Sequence, residues 1–259
     1  MTDKLFSKRM RINILKMISK AKASHIAAAF SCTDILAVLY NRILREEKHD
    51  VFILSKGHAG SAVYAALFEK GYIGQADIDS YYLDGSLLSG HVSHVGMDKI
   101  EFSTGSLGHG VCVACGMAVA DKLDGRDSHI YALVGDGECE EGSVWETALL
   151  ARHYRLDNFT VIVDRNKYQA ITTCDETISL GDLGGKWRAF GWETVEIDGH
   201  DHASVAAALL KRKKDKPVCI IAHTVKGKGV SFMENNMLWH YRDPQNEFFA
   251  NALAELEAQ

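Results

Sequence analysis

Short apolar runs alternate with longer amphipathic stretches along most of the chain. The runs that read as strands are short and rich in β-branched residues: HIYALV (129–134), FTVIVD (159–164), TVEID (194–198) and PVCIIAHTV (217–225). A further apolar run lies within DVFILSKGHAG and leads into a polar turn that contains glycine. Five strands are therefore predicted, each separated from the next by polar or helical segments.

The stretches between these runs have helical periodicity. They predict helices over about 4–21, 33–45, 59–70, 143–153, 183–190 and 203–213. In the first of them, Ile12, Leu15 and Ile18 fall on or near one face, as in an amphipathic helix. Thr33 and Asp34 come before an apolar periodic run, so the second helix is predicted to start there.

Strands that alternate with helices predict an α/β fold with a doubly wound, mostly parallel sheet flanked by helices. In such sheets, ligands bind beyond the carboxyl ends of the strands. The segments GDG, DRN, SKGH and HTVKGKG all follow predicted strands, so we expect them to converge at that edge. The sequence thus predicts where a binding site lies before any chemistry is assigned.

Composition narrows the class of protein. The chain has 259 residues, of which 47% are hydrophobic and 24% charged, which is typical of a globular domain, and one domain over 1–259 is expected. The net charge of −5 favours neither nucleic acid nor an anionic membrane as partner. No apolar run approaching about 18 residues and no secretory signal is read, so the cytoplasm is the expected location. A flexible C-terminal segment is also expected.

The six cysteines are scattered and mostly lie in apolar surroundings, as reduced, buried thiols do. Cys112 and Cys115 form a CxxC, but no second pair and no histidine spacing accompanies it, so it is weak support for zinc. A tightly packed helix of small residues is the favoured interpretation of VCVACGMAVA.

The stretch GDGECEEGSVWE places a carboxylate where a strand ends and a helix begins. Asp136 lies between Gly135 and Gly137, and a carboxylate there can hold Mg²⁺ or Ca²⁺, which bridges to phosphate. Asn166 is the candidate second ligand, because residues 138–165 suffice for one helix and one returning strand. The alternative is a turn without a ligand, which the full GDG-to-Asn spacing disfavours.

The combined motifs resemble the transketolase family. The segments SHIAAAFSCTDIL, LSKGHA, GHVSH, STGSLGHG, GDGECEEG, DRN and KGKGVSFMENNMLWHY occur in the order typical of that family and cover nearly the whole chain. The resemblance is to the N-terminal, thiamine diphosphate-binding domain alone. It implies the N-terminal subunit of a split transketolase, which transfers a two-carbon ketol unit from a ketose phosphate to an aldose phosphate.

The resemblance also implies a partner. A separate C-terminal subunit would carry the pyrimidine-binding domain and the glutamate that activates the cofactor, so this chain is expected to be inactive alone. Two chains of each kind would form a heterotetramer with the cofactor at the interface. Within this chain, residues from about 223 to 259 would form a C-terminal active-site segment.

For the cofactor and metal, the matching positions imply specific roles. Asp136, Asn166 and the backbone carbonyl of Tyr168 would bind Mg²⁺ (or Ca²⁺), and Gly137 would let the backbone approach the diphosphate. The aminopyrimidine ring would lie beside the backbone of a loop formed by Gly105, Ser106 and Leu107.

For catalysis, the resemblance implies four histidines and one glutamate. His58 and His240 would contact the diphosphate near the reacting centre, while His25 and His91 would touch hydroxyls of the sugar donor, with titration near neutral pH suiting them to proton transfer. Glu141 would contact the neighbouring subunit near the cofactor. The other two glutamates of this motif, at 138 and 140, have no implied role and are expected to be solvated or salt-bridged across an interface.

Departures from the family pattern put the sugar in doubt. Ala27 and Ala28 stand where relatives commonly have glycine and would add methyl groups near the donor site, and His109 stands where glutamine is common. A specialised ketose is therefore as plausible as xylulose 5-phosphate. His94 and His223, like His109, have no assigned role.

Three rival interpretations remain. The α chain of a 2-oxo acid dehydrogenase carries the same cofactor motif, but it would leave the four histidines unexplained. A non-catalytic cofactor-binding paralogue would be expected to have lost a ligand, yet Asp136 and Asn166 are both present. A Rossmann dehydrogenase does not fit, because GDGECEEG has glutamates where GxGxxG needs close backbone approach.

Overall fold

The computed structural model describes residues 1–259 and contains one five-stranded sheet. The strands are β1 (Val51–Leu54), β2 (Ile130–Gly135), β3 (Phe159–Arg165), β4 (Glu193–Asp198) and β5 (Val218–His223). They run parallel in the order β1-β2-β3-β5-β4. All five predicted strands are confirmed, so their carboxyl ends do lie at a common edge.

Ten α-helices connect and cover the strands. They are α1 (Asp3–Ala21), α2 (Ile26–Val38), α3 (Gly60–Glu69), α4 (Gln75–Asp79), α5 (Gly110–Leu123), α6 (Gly142–His153), α7 (Cys174–Thr177), α8 (Leu183–Ala189), α9 (His202–Leu209) and α10 (Glu247–Glu257). A short π-helical turn, Leu39–Ile43, extends α2. The predicted helix over 203–213 is shorter than expected, since α9 ends at Leu209.

The central strands β2, β3 and β5 are buried on both faces, as in a doubly wound fold, whereas the edge strand β4 is partly exposed. Successive residues of β2 point to opposite sides: Tyr131 and Leu133 join the larger hydrophobic cluster, whereas Ala132 and Val134 join the smaller one. Helices α1, α2, α3 and α9 cover the first face, and α5, α6 and α8 cover the second. The continuous apolar strands read from the sequence follow from this two-sided burial.

The predicted start of the second helix at Thr33 and Asp34 is wrong. Helix α2 begins at Ile26, and every residue from there to Val38 is buried. A helix that is surrounded on all sides shows no amphipathic periodicity by which its start can be read. Asp34 looked like a helix-starting residue, but its carboxylate is bound inside the fold by Arg11.

One stretch has the length and hydropathy of a membrane span, contrary to the expectation from the sequence. Residues Ile26–Ile43 have a mean hydropathy of 1.3 over 18 residues, but 89% of this stretch is buried inside the fold. It is therefore the central helix of the larger hydrophobic cluster.

The C-terminal residues also differ from the flexible segment that the sequence suggested. Helix α10 packs against α1, and Ala252 and Leu256 are fully buried there. The CxxC pair lies in α5, as the helical interpretation predicts, and Cys115 is buried against the sheet while Cys112 is half-buried.

Candidate functional site

The carboxyl ends of four strands meet at one edge of the sheet, as their polarity predicts. The loop after β3 reaches the turn after β2, because the backbone N–H of Lys167 donates to Asp136 Oδ2 at 2.5 Å. The loop after β1 brings Lys56 to the carboxylate of Asp164 in β3, and the loop after β5 brings Thr224 to the same carboxylate. These contacts join the GDG, DRN, SKGH and HTVKGKG segments into one site.

Asp164 is a fully buried carboxylate that orients the side chain of Asn166. Burial alone would raise the pKa of Asp164, but the Lys56 ammonium lowers it below its usual range, and Ser31 Oγ donates a further hydrogen bond at 2.5 Å. Asn166 Nδ2 donates to Asp164 Oδ2 at 3.1 Å, so its amide oxygen faces the other way and accepts from the N–H of Tyr168 at 3.1 Å. The oxygen that could bind a metal is thus held in one direction.

The Asp136 carboxylate is 2% exposed and accepts hydrogen bonds from backbone N–H groups, including that of Gly137 at 2.9 Å. Burial and the charge of Asp164 raise its pKa, a shift that a bound cation would oppose. No group of three or more His, Cys, Asp or Glu side chains is arranged so that it could hold a metal ion. The available oxygen donors are therefore Asp136, the amide of Asn166 and the carbonyl of Tyr168, which suit a hard divalent cation.

Lys226 is a buried ammonium, 1% exposed, that forms hydrogen bonds but no ion pair with a carboxylate. Its Nζ donates to the carbonyls of Tyr168 and Gln169 at 3.3 and 2.7 Å, and to His240 Nδ1 at 3.1 Å. Burial and the charge of Lys56 lower the pKa of Lys226 to about 8. An anionic ligand would supply the counter-charge that this cation lacks.

Four histidines from separate loops gather at the same edge. The ring centroid of His25 lies 5.2 Å from that of His58, 5.8 Å from that of His91 and 4.9 Å from that of His240. His25 adopts a φ of 72°, and its backbone N–H donates to the carbonyl of His240 at 2.7 Å. A left-handed backbone at a histidine is uncommon and tends to occur where a side chain is aimed for a function.

All four imidazoles have pKa values below the usual range. Burial, followed by the charges of His91 and Lys226, lowers the pKa of His25 to about 4. Burial and Lys226 lower the pKa of His240 to about 3, burial and a nearby lysine hold that of His58 well below 6.5, and burial lowers that of His91. The expected titration near neutral pH is wrong for this chain, because desolvation favours neutral rings that each offer one donor and one acceptor.

The rest of the predicted site lies on an open surface. Gly105 lies against the ring of His91, where an added Cβ would be 3.7 Å from it, and Ser106 and Leu107 follow in the same partly exposed loop. Glu141 is exposed at the start of α6. A cavity of about 800 Å³ lies at the outer edge of β1 and includes none of these residues. The site is therefore one wall of a cleft rather than an enclosed pocket.

The expectation that Glu138 is solvated or salt-bridged across an interface is wrong. Glu138 is 2% exposed and hydrogen-bonded within the chain, whereas Glu140 is half-buried and accepts from Gln169. Ala27 and Ala28 are 0% and 3% exposed, and the carbonyl of Ala28 accepts from Lys56 Nζ at 3.0 Å, so their proximity to the donor stays a prediction.

The three histidines without an assigned role lie outside the cluster of four. His223 Nε2 pairs with Glu196 at 3.1 Å beyond the end of β5. His94 Nδ1 lies 2.6 Å from Ser103 Oγ, and His109 Nδ1 lies 3.1 Å from the carbonyl oxygen of the residue two positions before it. Each is exposed and already has a local partner.

Sequence reasoning missed three charged residues that build the site: Lys56, Asp164 and Lys226. Each occurs within a motif that was recognised, in SKGH, DRN and HTVKGKG respectively. The available signal was a charged residue at the end of an apolar strand, where its side chain must be buried by the neighbouring strand ends. Their burial and mutual contacts become evident only when the strand order is known.

The fold and the site define an α/β protein whose charged and polar side chains converge at the carboxyl edge of a parallel sheet. The chain belongs to the transketolase family: residues 2–241 match the family described as transketolase, thiamine diphosphate binding domain. The four-histidine cluster and the Asp136–Asn166 pair lie within the matched residues.

The relatives of known name include proteins that are named as subunits of transketolases. The chain is 39% identical to the A subunit of apulose-4-phosphate transketolase from Phocaeicola vulgatus, with 98% of this chain and 94% of the relative covered. It is 38% identical to the SqwG subunit of 6-deoxy-6-sulfo-D-fructose transketolase from a Clostridium species, with 95% and 92% covered.

Solved structures of transketolases share the fold. The structure of Campylobacter jejuni transketolase superposes with a TM-score of 0.92 at 29% identity, covering 99% of this chain but only 43% of the transketolase. The Leishmania mexicana enzyme also superposes with a TM-score of 0.92, and the chain spans 41% of its length. The chain thus matches the separate transketolase subunits nearly end to end, and less than half of these longer transketolases.

Proposed function

We propose that this chain is the diphosphate- and metal-binding subunit of a two-chain transketolase. With a separate C-terminal subunit, it transfers a two-carbon ketol unit from a ketose phosphate, or a similar acidic ketose, to an aldose phosphate. The observation that carries the proposal is the site itself: the four neutral histidines and the Asp136–Asn166 pair line one open wall at the sheet edge.

The open wall favours a second chain. A reaction that breaks a C–C bond needs a site that excludes water, and this chain alone leaves His91, Ser106 and Glu141 exposed. The relatives that are named as A subunits, which this chain matches nearly end to end, support the same conclusion. A partner that carries a pyrimidine-binding domain would close the cleft.

The residues present fit a diphosphate bound through a divalent cation. Asp136, Asn166 and the carbonyl of Tyr168 would hold Mg²⁺ (or Ca²⁺), which takes oxygen ligands. Asp136 Oδ2 and Asn166 Oδ1 both lie against backbone N–H groups of residues 167 and 168, and Tyr168 adds a carbonyl oxygen in the same loop. Lys226 would donate to diphosphate oxygens, which supply the counter-charge it lacks. Gly137 would allow the backbone to approach, although Gln169 packs closely above it, 3.0 Å from where a Cβ would stand.

The chemistry that thiamine diphosphate supplies when bound is a carbon nucleophile and an electron sink for cleavage of the ketose. The histidines of this chain would bind and orient the reacting sugar. His240 is held by Lys226 with its proton on Nε2, so it can donate from that atom to an oxygen in the cleft. His25 and His91, which are neutral, can each donate one hydrogen bond to the sugar hydroxyls and accept another.

The sugar is open to test. Relatives of similar identity are named for apulose 4-phosphate and for 6-deoxy-6-sulfo-D-fructose, so the donor pocket of such subunits accepts different acidic ketoses. Specificity would then depend on the exposed rim around His91 and on the partner chain.

The first experiment is capture of partners from the native lysate with Mg²⁺ and thiamine diphosphate present, followed by mass spectrometry. We expect one stoichiometric partner with a pyrimidine-binding domain. The reconstituted pair is then assayed with xylulose 5-phosphate, apulose 4-phosphate and 6-deoxy-6-sulfofructose, with Asp136→Asn as the inactive control.

Other outcomes would favour the rival functions. Decarboxylation of pyruvate, without ketol transfer, would identify the α chain of a 2-oxo acid dehydrogenase. A chain that binds cofactor but self-associates and captures no such partner would be a non-catalytic paralogue, and the two-chain transketolase would be rejected.

A further inference from the structure

Glu138 is an acidic residue that the sequence left without a role and that the structure buries. It follows Asp136 by two positions and is 2% exposed, while Glu140 is half-buried and Glu141 is exposed. A buried carboxylate without an ion pair is costly unless several donors surround it. Its surroundings therefore indicate what the position is for.

The Glu138 carboxylate joins three segments of the chain. Oε1 accepts from Ser55 Oγ at 2.5 Å, just after β1, and from the N–H of Gly108 at 2.8 Å. Oε2 accepts from the N–H of Gly135 at 3.1 Å, at the end of β2. Ser55 Oγ in turn accepts from the N–H of Val111 in the first turn of α5. One side chain thus links the Asp136 turn to the C-terminal end of the STGSLGHG loop and, through Ser55, to the start of α5.

Gly108 is held from both sides by the acidic segment. The N–H of Gly108 donates to Glu138 Oε1, and its carbonyl accepts at 3.0 Å from Oγ of Ser143, which lies at the start of α6. Its φ is +77°, and an added Cβ would collide with Ser143 Oγ and contact Glu141. Glycine is therefore required here for both conformation and space.

The other end of the loop has a different anchor. Thr104 Oγ1 donates to the carbonyl of Leu54 at 2.6 Å, and its N–H donates to the carbonyl of Val92 at 3.2 Å. Between the buried residues Thr104 and Gly108, residues 105–107 are partly exposed and make few bonds of their own. Their position is consequently determined by the two anchors.

We propose that Glu138 is a positioning residue that fixes the 105–107 loop to the turn carrying Asp136. The loop is the part of the site that would face the cofactor ring, and the turn is the part that would face the diphosphate. Glu138 therefore makes the two halves of the cofactor site one rigid unit. The inference rests on the proposed function for the identity of the ligand, but its structural claim does not.

The test compares Glu138→Gln with Glu140→Gln in the full chain. Glutamine keeps the size of Glu138 but places an amide N–H against the donors of Gly108 or Gly135. The first measurement is hydrogen exchange of the peptide covering residues 105–111 without ligand. We expect exchange there to rise about tenfold or more in Glu138→Gln, with β2 and β3 unchanged, and to stay as in the wild type in Glu140→Gln.

The second measurement separates the two halves of the ligand by calorimetry. One titration uses Mg²⁺ with thiamine diphosphate, and the other uses Mg²⁺ with inorganic pyrophosphate. We expect Glu138→Gln to lose about tenfold in affinity for thiamine diphosphate and less than twofold for pyrophosphate. If Glu138 merely supported the fold, its substitution would lower the affinity for both ligands equally.

Unchanged exchange in residues 105–111, or an equal loss for both ligands, would overturn the proposal. If Glu138→Gln does not fold, Ser55→Ala removes one of the donors on Glu138 while the carboxylate remains, and the same local rise in exchange is expected. If the wild type binds neither ligand, the proposed function fails, whereas the exchange measurement still decides the role of Glu138.

Discussion

Of the two buried lysines in this site, one is paired with a carboxylate and the other is not. Lys56 is bound to the buried Asp164, so that pair is neutral within the fold. Lys226 is equally buried but meets only carbonyl oxygens and a neutral histidine. A buried ammonium without a carboxylate partner lowers the stability of the fold and favours the binding of an anion. Binding sites commonly sacrifice stability for function in this way.

Replacement of Lys226 by methionine separates these two effects. We expect Lys226→Met to lose about tenfold to hundredfold in affinity for Mg²⁺-thiamine diphosphate, the value of one charge-assisted hydrogen bond. The unliganded chain should keep or gain thermal stability, because a desolvated charge is removed. Calorimetric titration and thermal unfolding measure the two quantities.

Lys228→Met is the matched control, since Lys228 is part-exposed and pairs with Glu234 at 3.4 Å. This substitution should change neither the affinity for Mg²⁺-thiamine diphosphate nor the thermal stability appreciably. A strong loss of stability in unliganded Lys226→Met would show that the ammonium supports the fold, contrary to this expectation.

At the scale of elements, the sequence predicted the strands better than the helices that bury them. Runs such as that of β3 are bounded by polar residues, so their limits are visible. The start of α2 was missed because the helix is apolar on every side, and α10 was missed because its amphipathic pattern follows an irregular stretch. The site motifs were predictable from spacing, whereas the burial of Glu138 and Asp164 depends on which strands are neighbours.

One buried cluster joins elements that are distant in sequence. Arg11 in α1 binds Asp34 in α2 at 2.6 Å, and His200 Nδ1 lies 2.8 Å from the same carboxylate. His200 Nε2 accepts from the N–H of Val225, which precedes Lys226. The cluster therefore connects the first two helices to the loop that carries the binding lysine.

We expect Asp34→Asn to lower the free energy of unfolding by about 3–5 kcal/mol at pH 7, because Arg11 is left buried without its partner. Although burial opposes it, Arg11 and two histidines hold the pKa of Asp34 well below 3.8. A depressed carboxyl pKa stabilises the fold above the unfolded value and loses that effect as pH falls through the folded value. The wild-type advantage should therefore persist at pH 5 and shrink only below about pH 4.

Urea unfolding of both proteins at pH 7, 5 and 3.5 measures this difference. Asp79→Asn is the control, because Asp79 is 55% exposed in its pair with Lys20 and should change stability by less than about 0.5 kcal/mol. A wild-type advantage that vanished already at pH 6 would contradict the depressed pKa of Asp34.

At the scale of the whole molecule, the sheet and both hydrophobic clusters are contained in one chain, and the four histidines lie at one edge of the sheet. His240 is buried, His25 and His58 are half-buried, and His91 is exposed. Binding of a ligand to the folded state alone adds stability in proportion to the logarithm of its concentration over Kd. Cofactor binding can therefore be measured on this chain before the partner is known.

Thiamine diphosphate at about 100 times its Kd should raise the melting temperature by about 5–10 °C when Mg²⁺ is present. Excess EDTA should abolish the shift, because the Asp136 carboxylate and a diphosphate repel each other without a cation between them. Differential scanning calorimetry with and without EDTA, and with Asp136→Asn as control, tests this. An equal shift in EDTA would exclude a metal bridge.

The anchoring of the site residues has a consequence for directed evolution. The groups at the strand ends are held by buried contacts from β1, β2, β3 and β5, so most substitutions there would cost stability. The rim from about residue 86 to 99 is largely exposed and belongs to no strand or α-helix. A mutant library confined to that rim could explore new sugar donors while leaving the folded scaffold, and its margin of stability, almost untouched.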